Sequence, residues 1–508
     1  MAATLQSLLA AGADAAPALA APGRPTLSQG ELRALVAATI ATLNAAGAGR
    51  NDRVAIVLDN GPEMAACFIA CAAGTASAPL NPAYRADEFE FYLSDLNAKL
   101  LIVAAGSGSP AVAVAGKLGV AIVELVVAEG APAGRFTLVP RQPPGAALSA
   151  GRGGFSEAGD TAMVLHTSGT TSRPKIVPLS VANLCASAAG IRTTLELKPE
   201  DRGLNIMPLF HIHGLIAGVL APLSAGSSVY CTPGFNALKF FTWMDDAKPS
   251  WYTAVPTMHQ AIVGRAKGNV EAIRRNPLRF TRSSSSSMPP QVIVELEAIF
   301  GAPLIEAYGM TEATHQMASN PLPPRTRKPG TVGLAAGPEI AIMAEDGALL
   351  GAGEAGEIVI RGANVTAGYE NNPKANAEGF RDGWFRTGDQ GVQDDEGYLS
   401  ITGRLKEIIN RGGEKVSPRE VDEILMDHPA VAQVVTFGMP HPKLGEEVAA
   451  VVVLKPGSGA TDRELQAFVA ERAADYKVPK KILFMDEIPK GATGKLQRIG
   501  LAAKLGLA

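Results

Sequence analysis

Short apolar runs alternate with segments of helical spacing through the first third of the chain. Residues 54–58 read as a buried strand and residues 62–73 as a helix. Residues 86–96 read as an amphipathic helix and Leu100–Ala104 as a second strand. Such alternation predicts an α/β fold with largely parallel sheets. The Gly-, Ala- and Pro-rich stretch 105–159 is read as loops and a subdomain edge. Residues 162–165 then form a strand, a Gly/Ser/Thr loop follows, and Ser180 is placed to cap a helix. Alternating units continue over 251–300. From 330 to 400 the pattern changes to short strands and turns, a β-rich subdomain.

The last hundred residues have a pattern of their own. A helix over Pro418–Met426, strands over 432–437 and 448–454, a helix opened by the capping box Thr461-Asp-Arg-Glu464, and a strand over 481–485 give the order α-β-β-α-β. With 508 residues the chain exceeds one compact core, so a large N-terminal body and a small α+β C-terminal domain are expected. No internal repeat of solenoid length is present.

Composition narrows the function classes. Hydrophobic residues make up 47% and charged residues 19%, as in a soluble enzyme, and a net charge of −3 argues against a nucleic-acid partner. No apolar segment approaches the ~20 residues that span a bilayer, so no membrane partner is expected. The Ala-rich start lacks a basic region, the chain does not end in a peroxisomal address, and a cytoplasmic location is expected. Four cysteines give no disulfide framework. Cys67 and Cys71 share one face of an apolar helix with no second pair to complete a metal site, so they are assigned to core packing.

The chemistry is concentrated in a few strings. His166-Thr-Ser-Gly-Thr-Thr-Ser-Arg-Pro-Lys175 ends a buried strand in a loop of hydroxyls, one glycine and two cations. Such a loop can turn N–H groups and hydroxyls onto a phosphate, although it is not a Walker loop. Glu306-Ala-Tyr-Gly-Met-Thr-Glu312, Thr387-Gly-Asp389, Gly403-Arg-Leu-Lys-Glu407 and Pro489-Lys-Gly-Ala-Thr-Gly-Lys495 follow in that order. As an ordered set over nearly the whole chain they resemble the acyl-adenylate-forming superfamily of acyl-CoA ligases, adenylation domains and luciferases.

The resemblance implies ATP, Mg²⁺ and coenzyme A, and two steps. An acid attacks the α-phosphorus of ATP to give acyl-adenylate and pyrophosphate; the CoA thiol then displaces AMP. It also implies a domain at 1–403, a hinge at 404–407 and a mobile domain at 408–508. Carried over position by position, Thr167, Ser168, Gly169, Thr170, Thr171 and Lys175 form the phosphate loop, and Glu306, Ala307 and Tyr308 line the nucleotide, Tyr308 flanking adenine. Thr311 touches the α-phosphate and Glu312 helps hold Mg²⁺. Asp389 accepts from the ribose hydroxyls with Arg404 nearby. Lys495 is the adenylation lysine and Lys406 the hinge. Gly412 and Gly413, in Asn410-Arg-Gly-Gly-Glu-Lys-Val, are assigned to the pantetheine channel.

The same resemblance locates the acid pocket between the Pro208-Leu-Phe-His-Ile-His-Gly214 segment, the loop after Arg282, and the residues following Glu312. Three of the seven histidines, His211, His213 and His315, fall there together with the serine run 283–287. Hydroxyl and imidazole donors suit a small polar dianion better than a fatty acid. The longer strings, above all Arg282-Ser-Ser-Ser-Ser-Ser-Met-Pro-Pro and Glu306 through Pro324, are similar to the oxalate–CoA ligase branch. His315, Ser285 and one of His211 or His213 are therefore expected to contact oxalate. Malonate or another short acid is the alternative, as is a stand-alone adenylation domain that loads a carrier protein. Oligomeric state is left open.

Overall fold

The computed structural model describes residues 4–141, 150–167, 174–489 and 498–507. The chain divides into two compact units. The first comprises residues 1–167, 175–339 and 361–378; the second comprises 168–174, 340–360 and 379–508. The second unit also takes most of the β-rich segment.

The first unit is built on two sheets. In one, the parallel strands Ala121–Val126, Leu100–Ala104, Arg53–Val57, Ala76–Pro79 and Thr161–His166 lie side by side, with antiparallel Thr137–Pro140 and Ile176–Ser180 at the edges. The described part of segment 105–159 is therefore more ordered than its composition suggests. It carries the helix Pro110–Leu118 and two of these strands. The second sheet has nine strands. Pro17–Ala20, Ser228–Cys231, Arg202–Asn205, Trp251–Ala254, Phe280–Ser283 and Leu304–Met310 run parallel, and His315–Ser319 turns back antiparallel.

The helix Pro62–Gly74 packs on strands of both sheets, and every one of its residues except Glu63 is buried. That is why Cys67 and Cys71, both fully buried and free, behave as small apolar groups. Val181–Thr194 also packs on both sheets, entered through a capping box in which Ser180 Oγ accepts from the Asn183 N–H at 3.1 Å. Helices Ala86–Asp95 and Pro110–Leu118 cover the outer face of the seven-stranded sheet. Phe240–Ala247, Pro256–Ala266 and Pro290–Phe300 cover that of the nine-stranded one. Parallel sheets covered on both faces open their ligand crevices at the carboxyl ends of the strands.

In the second unit, Trp384–Gln393 pairs antiparallel with both Gly356–Arg361 and Leu399–Arg404. The C-terminal sheet joins the hairpin Ile409–Arg411/Glu414–Val416 to the long pair Val431–His441/Gly445–Leu454, with Lys481–Phe484 parallel beside the latter. Pro418–Met426 and Asp462–Ala470 pack on it over a core that includes Val421, Leu425, Val448 and Leu465. The hairpin and the short helix Leu501–Lys504 add to the α-β-β-α-β order read from the sequence. No helix among the described residues is long and apolar enough to cross a membrane.

Candidate active site

The stem of the phosphate loop is an antiparallel hairpin, Thr161–His166 against Ile176–Ser180. It is closed by the Thr167 N–H donating to the Lys175 carbonyl at 2.9 Å and the Lys175 N–H donating to Thr167 Oγ1 at 3.1 Å. Ser168, Gly169, Thr170 and Thr171 lie outside the described residues. The Lys175 ammonium sits 4.3 Å from the centroid of the Tyr369 ring. The Tyr369 hydroxyl donates to Glu312 Oε1 at 2.7 Å. Burial first, and the Glu312 charge second, push the Tyr369 hydroxyl far above its ordinary pKa, so it stays a donor.

Tyr369 thus joins the loop lysine to the acidic residue of the second motif. Sequence reasoning missed it. Its signal was an aromatic side chain beside Gly368, far along the chain from both partners.

The second motif is a strand that reverses. Leu304–Met310 carries Glu306, Ala307 and Tyr308, a single 3-10 turn holds Thr311–Ala313, and His315–Ser319 runs back along it. Thr314 and His315 both adopt positive φ, 50° and 94°, to make that reversal. Glu306 Oε2 accepts from the Gly330 N–H at 3.0 Å. Glu312 is buried and its carbonyl accepts from the Thr366 N–H at 2.7 Å.

His315, His213 and the unanticipated Arg282 form one buried cluster, and Ser285, exposed in the loop after the Arg282 strand, reaches it. Arg282, one residue before the end of its strand, faces Thr253 of the neighbouring strand in register. Its Nη1 lies 3.3 Å from both His213 Nε2 and Thr253 Oγ1. Its Nη2 lies 3.2 Å from His315 Nε2 and 3.1 Å from Gln316 Oε1. The Thr253 hydroxyl reaches His213 Nε2 at 2.7 Å, and His213 Nδ1 meets Ser285 Oγ at 3.0 Å. The two imidazoles stack with centroids 4.8 Å apart. Ser285 is held at φ 73°. His211 lies two residues before His213, half-buried, with its ring 4.5 Å from that of Phe210.

Burial drives the pKa of His213 and His315 well below the ordinary range, and the Arg282 charge lowers both further, so both are neutral. Burial brings Arg282 down to about 9, which leaves it charged at neutral pH. Arg282 is completely buried, every recorded partner of its guanidinium is a neutral group, and its Nε has no hydrogen-bond partner among the described residues. Taking such a charge out of water costs several kcal/mol unless a counter-charge arrives.

The remaining candidates belong to the second unit. Asp389 is buried and accepts from Arg404 Nε at 3.0 Å, the two facing each other in strand register. Lys406 is exposed in the single turn Leu405–Glu407. Gly412 and Gly413 have φ of 60° and 98° and form the two-residue turn of the hairpin, a conformation that any side chain would strain. Lys495 lies outside the described residues.

The AMP-binding enzyme family matches residues 10–370, and the AMP-binding enzyme C-terminal domain matches residues 420–495. The oxalate–CoA ligase of Arabidopsis thaliana is 43% identical over 486 residues, covering 95% of this chain and 94% of that protein. The oxalate–CoA ligase of Saccharomyces cerevisiae is 42% identical over 470 residues, covering 88% and 86%. ATP-bound MatB from Rhodopseudomonas palustris has a similar fold, with a TM-score of 0.87 at 29% identity and 99% of both chains covered. With matches of this extent in both parts of its length, the chain belongs to the AMP-binding enzyme family.

Proposed function

We propose that this protein is an AMP-forming acid–CoA ligase that converts oxalate, ATP and CoA to oxalyl-CoA, AMP and pyrophosphate. The observation that carries the choice of acid is the buried pair His213 and His315 around a charged Arg282, with the exposed Ser285 hydroxyl against His213. It offers polar donors and positive charge where an aliphatic acid would need apolar lining. Two relatives named as oxalate–CoA ligases, matched over most of their lengths, support the same acid.

In the first step a carboxylate oxygen of the acid forms a bond to the α-phosphorus of ATP, and the bond from that phosphorus to pyrophosphate breaks. Both reactants are anions, so catalysis must be positional and cationic. Thr167 and Lys175, with the loop between them, bind the phosphates; Tyr308 flanks the adenine; Thr311 holds the α-phosphate; Asp389 accepts from the ribose with Arg404 beside it. Lys495 supplies positive charge between the attacking carboxylate and phosphorus.

Glu312 is suited to hold Mg²⁺. One carboxylate oxygen takes the Tyr369 hydroxyl, the other is left for a hard cation, and Mg²⁺ commonly combines one or two carboxylates with substrate phosphates. When bound there it neutralises developing phosphate charge. In the second step the CoA sulfur bonds to the acyl carbon, AMP departs, and the thiol proton is released. The turn at 404–407 with Lys406 serves as the hinge between residues 1–403 and 408–508. Gly412 and Gly413 line the thiol's path. ATP and CoA as co-substrates fit a cytoplasmic location.

The test is AMP release by the purified protein with ATP, Mg²⁺ and CoA across oxalate, malonate, acetate, hexanoate and benzoate. Strong CoA-dependent preference for oxalate is expected. Preference for another acid would overturn the pocket assignment, and transfer only to a carrier protein would overturn the CoA assignment.

A further inference from the structure

Arg282 reaches two histidines through its side chain and a third through its backbone. A guanidinium N–H only donates. His213 Nε2, 3.3 Å from Nη1, and His315 Nε2, 3.2 Å from Nη2, are therefore acceptors, and each neutral ring carries its proton on Nδ1. At His213 that proton points to Ser285 Oγ, 3.0 Å away, so the Ser285 hydroxyl keeps its own proton for another acceptor.

The third ring is fixed in the opposite sense. His259 Nε2 lies 3.2 Å from the Arg282 carbonyl oxygen, which only accepts, so His259 is the Nε2–H form and its Nδ1 takes the Tyr252 hydroxyl at 3.1 Å. Gln316 cannot relieve the charge. Its Oε1 accepts from Arg282 at 3.1 Å, and its Nε2 is committed to Thr194 Oγ1 and the Ala336 carbonyl, both at 3.0 Å.

We propose that Arg282 is the positioning and charge-selecting residue of the acid site: it fixes His213 and His315 as Nδ1–H donors and supplies the buried positive charge that favours a dicarboxylate over a monocarboxylate. This rests on the acid-site reading above. A monocarboxylate spends its one charge on the attack at phosphorus. Oxalate, with both carboxyls ionised at neutral pH, keeps a second charge for the site. A bound dianion relieves the cost of the unpaired buried cation, and a monoanion does not. Lysine at 282 would keep the charge but has one nitrogen where two forks are used, so it cannot orient both rings.

The experiment uses the full-length protein and its Arg282→Lys and Arg282→Met variants. Pyrophosphate release is measured with oxalate and with acetate, together with the KM for ATP. Histidine ring nitrogens are followed by NMR on ¹⁵N-histidine-labelled protein, where only seven rings contribute. Arg282→Met should lose about 100-fold or more in kcat/KM for oxalate and far less for acetate, with the KM for ATP little changed. Arg282→Lys should recover part of that loss while the Nδ1–H signals of two rings are lost or exchange.

Equal losses on both acids, or wild-type His213 and His315 in the Nε2–H form, would overturn the inference. The wild-type spectrum decides the tautomers even if the Met variant does not fold. A wild-type protein inactive on oxalate would sink the functional reading instead, leaving the tautomer result to stand by itself.

Discussion

Removing one oxygen atom tests how the nucleotide side of the site is held together. Tyr369→Phe keeps the ring, and with it the Lys175 ammonium 4.3 Å from its centroid. It deletes the hydroxyl that donates to Glu312 Oε1 at 2.7 Å. Glu312 is only 7% exposed, so water cannot readily replace that donor. A hydrogen bond to a charged group is worth about 1.5–3 kcal/mol, which corresponds to about 10- to 150-fold in an equilibrium or rate.

If the hydroxyl orients Glu312 for the metal–nucleotide complex, kcat/KM for ATP in acid-dependent pyrophosphate exchange should fall by an amount in that range. The Mg²⁺ concentration for half-maximal rate should rise. Thioester formation from supplied oxalyl-adenylate should stay within about threefold, because pyrophosphate has already left and no polyphosphate remains to be held. Tyr369→Leu should lose a further ~0.5–2 kcal/mol through the cation–ring contact. An unchanged Mg²⁺ requirement with unchanged exchange rate in Tyr369→Phe would refute the orienting role.

Lys495→Ala should abolish adenylate formation yet spare thioester formation from supplied acyl-adenylate; comparable loss of both steps would remove its assigned role. His315→Ala should reduce kcat/KM for oxalate far more than for a monocarboxylic acid, and equal losses would take it out of the acid pocket. Acid should destabilise the protein through its buried histidines. Burial lowers His259 from 6.5 to about 4, so between those values the unfolded chain binds a proton that the folded chain does not. Stability therefore falls as pH drops through that window, by about 3 kcal/mol from His259 alone, with His213 and His315 acting in the same direction. Urea midpoints at pH 7 and pH 4.5 measure this, and a His259→Gln variant should lose less between them; identical pH dependence in both would contradict it.

Elements with strong local signals were legible. Leu100–Ala104 and Pro418–Met426 match their expected bounds, and the caps at Ser180 and Thr461 are formed as read. These segments owe their structure to full burial or to side chains adjacent in sequence. The segment 105–159 misled because alanine and valine suit either structure, and because Ala121–Val126 and Thr137–Pro140, at the sheet edge, bury only alternate positions. The Ile409–Arg411/Glu414–Val416 hairpin was missed because its strands are short and largely exposed.

Within the candidate site, the histidines were singled out by the pocket segments of the resembled family and the motif residues by their order. Arg282 was not, because an arginine in a sequence reads as solvated. Only the pairing of Phe280–Ser283 with Trp251–Ala254 and the return of His315–Ser319 close neutral partners around it. Tyr369 was hidden likewise, since its partners Lys175 and Glu312 come from other parts of the first unit.

The reversal between Leu304–Met310 and His315–Ser319 has an evolutionary consequence. Residues proposed to recognise adenine, α-phosphate, metal and acid follow one another from Tyr308 to His315 on a single taut connection, with His315 at φ 94°. Insertions or deletions there would move the nucleotide contacts together with the acid contact. Descendants of this chain can thus change their acid only by exchanging side chains such as His315, or on the separately tethered helix start and loop that bring His213 and Ser285. Shifts in specificity within such a lineage should appear as point substitutions at fixed length, with compensating changes on the same hairpin.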